Sequence, residues 1–282
     1  MPDLEGRTIA ITGASSGIGR AAAVACADAG MRVALMARRE DRLRELAAQL
    51  PEERSLVHPG PVDDPAACAA FIERAADELG PVFAVFANAG YGVETDTASM
   101  PDADLRRMFE VNFYGSLSVI NAALPGMIER GEGHALLCSS CLSKIALPRY
   151  AAYGATKAAQ EHFGRAMRIE LAPRGVAVST VHPVGTRTEF FDTAAALSGG
   201  ELRLVDRARS AVLQPPERVA RAILKRLRSG RGGEVWTSPG TRTLLATANA
   251  MPWATDRALA WMYRRRRGAT DATGGASAAR TP

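Results

Sequence analysis

The run Thr8-Ile9-Ala10-Ile11-Thr12-Gly13-Ala14-Ser15-Ser16-Gly17-Ile18-Gly19 constrains the fold more than any other feature of the chain. An apolar stretch the length of one buried strand gives way to a glycine turn, and the turn to an alanine-rich helical stretch. Gly13 permits the tight turn, Gly17 lets backbone approach a pyrophosphate, and Gly19 allows the helix to pack closely, so phosphates would meet a helix N-terminus with Ser15, Ser16 and Ile18 around them. A glycine-rich turn alone proves little; the flanking strand and helix are the context that a nucleotide site requires.

The strand-then-helix pattern continues to the end of the chain. Apolar runs near 7–12, 32–36, 54–58, 82–87, 133–139, 176–182 and 234–236 alternate with helical patterns near 17–29, 40–50, 65–79, 102–130, 151–173 and 216–229. Alternation of this kind implies an α/β fold with a doubly wound parallel sheet and right-handed crossovers. Ligands bind beyond the strand C-termini in such sheets, where Gly13, Asn88, Ser140 and Pro183 fall. A length of 282 residues suits a single domain. That domain is expected over 1–240, followed by a helical extension over 241–267 and a disordered tail over 268–282. Residues 184–215 are long for a connection and carry Phe190, Phe191, Leu197, Leu202 and Leu204, which suggests a mobile substrate lid.

Tyr153 and Lys157 stand four apart in a helical stretch, so a phenol and an amine share one face. A free phenol has a pKa of about 10 and shuttles protons near neutrality only if a fixed cation favours the phenolate. Such pairs are common on solvated helix faces, and this one gains meaning from its neighbours. Asn88-Ala89-Gly90 follows the apolar run Val82 to Ala87, Asn112 sits in Val111-Asn112-Phe113-Tyr114-Gly115, and Ser139-Ser140 closes the run Ala135 to Cys138.

In this order, with Ser140 thirteen positions before Tyr153, the segments resemble the short-chain dehydrogenase/reductase family over about residues 7 to 240. The resemblance implies a Rossmann-type sheet and an oxidoreductase that interconverts a ketone or aldehyde and an alcohol. It implies that Tyr153 supplies the proton, that Ser140 hydrogen-bonds the substrate oxygen, and that Lys157 binds the nicotinamide ribose while lowering the Tyr153 pKa. It further implies that Asn112 supports a water relay, that Asn88, Ala89, Gly90 and Val62 line the cofactor, and that Pro183 and Thr188 follow it into the next loop. Two departures stand out: Pro61-Val62 replaces an aspartate-valine pair, and Val184 replaces the glycine after Pro183. The acidic residue expected at the end of the second strand is Ala37, and Arg38 follows, which favours NADP(H) over NAD(H) because a guanidinium recognises phosphate. Leu142, Leu147, Val184, Phe190 and Phe191 surround the expected mouth and suggest a small apolar, lipid- or steroid-like substrate. The family also implies a homo-oligomer.

Cys138 and Cys141 have the spacing of a redox or half-zinc motif, but no second pair or histidine cluster completes it, so no metal is expected. The four cysteines agree with a reducing compartment. With no apolar stretch long enough to span a bilayer and a first strand starting almost at Met1, a cytoplasmic protein is expected. Residues 218–267 carry twelve Arg or Lys against Glu234 and Asp256. Arg264 to Arg267 follow Trp253, Leu259, Trp261, Met262 and Tyr263, a combination that suits weak peripheral contact with anionic lipid or, alternatively, a core-capping helix with solvated arginines. No nucleic-acid module accompanies this charge.

Overall fold

The computed structural model describes residues 3–51, 53–198 and 213–275. Seven strands form one sheet in the order β3-β2-β1-β4-β5-β6-β7, and every neighbouring pair is parallel. The strands are β1 (Thr8–Thr12), β2 (Arg32–Ala37), β3 (Ser55–Pro59), β4 (Val82–Ala87), β5 (Gly133–Cys138), β6 (Val176–His182) and β7 (Gly233–Trp236). The helices are α1 (Gly17–Asp28), α2 (Glu40–Ala47), α3 (Pro65–Leu79), α4 (Asp102–Phe109), α5 (Gly115–Arg130), α6 (Ala151–Leu171), α7 (Phe190–Leu197), α8 (Pro216–Ser229), α9 (Pro239–Ala250) and α10 (Pro252–Gly275).

Because β1 is covered on both faces, it is apolar throughout, yet its side chains still alternate. Ile9 and Ile11 join Leu35, Leu43, Ile223 and Leu227 beneath α1, α2 and α8. Ala10 joins Phe71, Val85, Val119, Met127, Leu137 and Val178 beneath α3, α5 and α6. The strand order reverses between β1 and β4, so a crevice opens beyond their C-terminal ends.

The C-terminal elements differ from expectation. A break at Met251 divides the extension into α9 and α10, and α10 continues to Gly275 through half of the segment read as tail. Arginine and alanine are strong helix formers, and Gly268 in the interior costs about 1 kcal/mol, which a long helix tolerates, while Gly274 and Gly275 fall at its end. Residues 276–282 lie outside the described residues, as does part of the proposed lid, 199–212 with Leu202 and Leu204. Within the lid, α7 is helical and its end is tied down where the Glu94 amide donates to Ser198 Oγ at 2.8 Å.

Candidate active site

The glycine turn lies at the switch point. Gly13 adopts a left-handed φ of 65°, and a Cβ on Gly19 would stand 2.4 Å from the Gly13 carbonyl; neither position tolerates a side chain. The Ser16 side chain caps none of the amides of α1. Asn88 fastens the turn to the end of β4: its Nδ2 donates to the Thr12 and Gly13 carbonyls at 3.0 and 3.3 Å. The amides of Asn88 and Ala89 both donate to Thr12 Oγ1. Gly90 then passes so close to Asn112 Oδ1 and Lys157 Nζ that a Cβ there would stand 2.9 and 3.4 Å from them.

On the far side of the turn, Thr188 lies against Gly17. The Val184 departure leaves this loop well anchored, because Gln214 Nε2 donates to the Val184 carbonyl at 2.7 Å and the Gln214 backbone pairs with Gly185 and Arg187. The Pro183 carbonyl accepts the Cys141 amide, which ties the loop after β6 to the segment after β5. Val62 is buried in the turn beyond β3, packed against Gly115.

Arg38 is exposed. Its neighbour Arg39 donates to Ser15 Oγ at 3.1 Å and pairs with Glu189 at 2.8 Å. The hydrogen bond from Arg39, helped by one from Ser16, holds the Glu189 carboxyl below the usual range. A carboxylate thus sits among Ser16, Arg39 and the start of α1, so the turn accepts an anion. A cleft of about 660 Å³ opens here between Ser15, Ser16, Gly17, Thr188 and Glu189 and runs along α1, away from Tyr153.

Helix α6 carries the chemistry-bearing face. Ser140, at the end of β5, is buried, and its hydroxyl accepts the Leu142 amide at 3.1 Å. Tyr153 is half-buried beside it, 5.2 Å between ring centroids from Phe190, which in turn meets Phe191 edge-on. Leu142 and Leu147 are partly buried in the segment between β5 and α6. Lys157, buried to 3 % exposure, donates to the Cys138 carbonyl at 2.7 Å and to Gln160 Oε1 at 3.0 Å.

Burial raises the Tyr153 pKa above the usual phenol value and the Ser140 hydrogen bond opposes it, while Lys157 Nζ lies 5.6 Å from the phenol ring centroid. The same burial lowers Lys157 to about 8. Lys157 and Asn112 are joined through the Gln160 side chain, which accepts from Lys157 Nζ and donates to the Asn112 carbonyl. The π-helical turn Glu110–Tyr114 frees the Asn112 carbonyl, which accepts Gln160 Nε2 and Ser116 Oγ, each at 2.7 Å. Asn112's own amide clasps the Tyr91 backbone at 2.9 Å and reaches Thr156 Oγ1 at 3.1 Å.

Beneath Ser140 lies a charged cluster that the sequence reading did not find. Glu161, His182 and Glu234 bring ligand atoms within 4.8 Å of one another, but Lys144 Nζ sits 2.8 Å from both carboxylates and supplies the positive charge. His182 reaches Glu161 at 2.8 Å and the Ser140 carbonyl at 3.2 Å, and stacks on Trp236 at 4.5 Å. The cluster therefore braces the backbone of Ser140. Cys138 and Cys141 are free thiols, both raised by burial.

Comparison with known proteins places this arrangement. The family model described as short chain dehydrogenase matches residues 7–197, and the chain belongs to that family. It is an oxidoreductase, of a family that binds NAD(P)(H). A Drosophila melanogaster protein named dehydrogenase/reductase SDR family protein 7-like is 34% identical over 233 residues, 79% of this chain and 71% of that protein. The solved structure of 3-ketoacyl-(acyl-carrier-protein) reductase from Brucella melitensis complexed with NADH matches with a TM-score of 0.74 at 25% identity, over 82% of this chain and 96% of its own. A short-chain dehydrogenase from Streptomyces avermitilis matches with a TM-score of 0.76 at 25% identity, over 95% and 100%. The residues fit a dinucleotide: Gly13 and Gly19 pack too closely on Asn88, Ala89 and the Gly13 carbonyl to carry a Cβ, which keeps the turn bare of side chains, and the Glu189 carboxylate shows that its rim accepts negative charge.

Proposed function

We propose that the protein is an NADP(H)-dependent reductase of ketones or aldehydes on an apolar substrate, with Tyr153 as general acid. The observation that carries this reading is Tyr153, whose hydroxyl is hydrogen-bonded to Ser140 and whose ring packs against Phe190 at 5.2 Å between centroids. Gly13, Ser15, Ser16, Gly17, Ile18 and Gly19 would hold the pyrophosphate end, Arg38 the 2′-phosphate, Val62 the adenine side, and Asn88, Ala89, Gly90, Pro183 and Thr188 the remainder. The cofactor supplies the hydride. A phenol kept neutral by burial is suited to give its proton to a carbonyl oxygen that gains charge, while the Ser140 hydroxyl orients that oxygen. Lys157, fixed by Cys138 and Gln160, places a cation beneath the ring and within reach of a ribose hydroxyl passing Gly90. Leu142, Leu147, Val184, Phe190 and Phe191 supply the apolar wall. Exposed Tyr114, Phe163 and Ile169 on the α4–α5 and α6 surface support self-association, which light scattering of the purified protein tests.

Fluorescence measurement of NADPH oxidation against a panel of apolar ketones and aldehydes tests the activity. A panel without turnover, in a protein that binds NADPH, would refute it.

Two further outcomes are expected. Since Lys157 in the free protein holds its proton below about 8 and loses it above, kcat/KM for reduction should fall about tenfold per pH unit beyond that point. A level profile through the alkaline range would show that the lysine charge is not needed. Glu189→Gln should tighten NADPH about two- to fivefold, the scale of an exposed ion pair, because the carboxylate would no longer compete for Arg39 and Ser16. Calorimetry giving weaker or unchanged binding would show that the pair stays intact in the complex.

A further inference from the structure

Five of the nine large hydrophobic side chains exposed among the described residues lie between 244 and 262: Leu244, Met251, Trp253, Trp261 and Met262. On α10, Trp253, Arg257, Trp261 and Arg265 follow one another at four-residue intervals and so share one face, with Arg264 beside them. Trp253 is 71 % exposed and Trp261 52 %, and all three arginines are exposed. Arg265 lies over the Trp261 ring, 4.2 Å from its centroid. The opposite side of the helix is used otherwise: Tyr263 is partly buried and hydrogen-bonded to Arg149, just before α6. The aromatic and cationic face is thus turned away from the fold.

We infer that this face of α10 docks on an anionic lipid surface. Indole rings prefer the boundary between headgroups and acyl chains, and arginines beside them can extend to phosphates. No helix among the described residues is long and apolar enough to cross a membrane, so the contact is peripheral. The charge argues against a second copy of the chain as occupant. Residues 241–267 carry Arg242, Arg257 and Arg264 to Arg267 against Asp256 alone, and a twofold contact would set these cations against themselves. Leu244, Met251 and Met262 nearby offer aliphatic surface, which suits acyl chains better than stacked bases.

Sedimentation of the full chain with vesicles of neutral phosphatidylcholine, with and without phosphatidylserine, at low and high salt, tests the inference. Binding should be at least about tenfold tighter with phosphatidylserine and should weaken with salt. The double variant Trp253→Ala with Trp261→Ala should lose about tenfold or more, as should Arg257→Glu with Arg265→Glu, while both retain NADPH binding and so report a folded protein. Two variants guard against one that fails to fold. Equal pelleting with neutral and anionic vesicles, or full binding by either variant, would overturn the inference. So would a loss of self-association, or of oligonucleotide binding, in the tryptophan variant without any vesicle binding by the parent.

Discussion

Tyr153→Phe should reduce turnover by at least about a hundredfold, the scale of a lost general acid, and leave NADPH affinity close to that of the parent. The substitution keeps the ring, so its contact with Phe190 at 5.2 Å and its place over Lys157 survive. Only the hydroxyl, with its hydrogen bond to Ser140, is removed. Separate measurement of kcat and of cofactor affinity distinguishes the two contributions. Turnover near the parent's on any accepted substrate would require the proton to come from elsewhere, with Lys157 the nearest titratable cation.

Arg38→Asp, with Ala37 retained, should weaken NADPH about ten- to a hundredfold and leave NADH much less affected. A charge-assisted bidentate contact to phosphate contributes about 1.5–3 kcal/mol, and the new carboxylate adds repulsion to its loss. Arg39 makes the control informative. It already holds Ser15 and Glu189, whereas Arg38 is exposed at the end of β2. Arg39→Asp should therefore cost NADPH less than Arg38→Asp. Fluorescence titration of both cofactors into both variants decides this. Equal losses for NADPH and NADH, or a larger effect at Arg39, would mean that the phosphate is recognised at another place.

Much of this arrangement was legible in the residues because its determinants are local. Each of the seven apolar runs became a strand, and the glycine turn, Asn88, Ser140 and Pro183 all lie beyond strand C-termini, as a doubly wound sheet requires. What escaped the sequence reading depends on contacts between distant segments. Gln160 is three residues from Lys157, but its link to the Asn112 carbonyl exists only because α6 packs on the π-helical turn. A buried glutamine one turn beyond a functional lysine is the signal that could have pointed to it. Glu161, His182, Glu234 and Lys144 come from four elements or connections, and no spacing announces their cluster. Gln214 and Glu189 likewise gain their meaning only when the loop after β6 folds back over α1. The burial that raises the Tyr153 pKa could not be read from the Tyr and Lys spacing, because it depends on the segments packed around the ring.

The central claim, hydride transfer from NADPH to a carbonyl at the Tyr153 site, is tested most directly by supplying NADPH deuterated at C4 of the nicotinamide, in each of its two stereochemical forms, with an apolar ketone. Mass spectrometry of the alcohol should show a single deuterium on the carbinol carbon from one of the two forms and none from the other. NADPH oxidation that leaves the ketone unreduced, or alcohol formed without deuterium from either form, would contradict it.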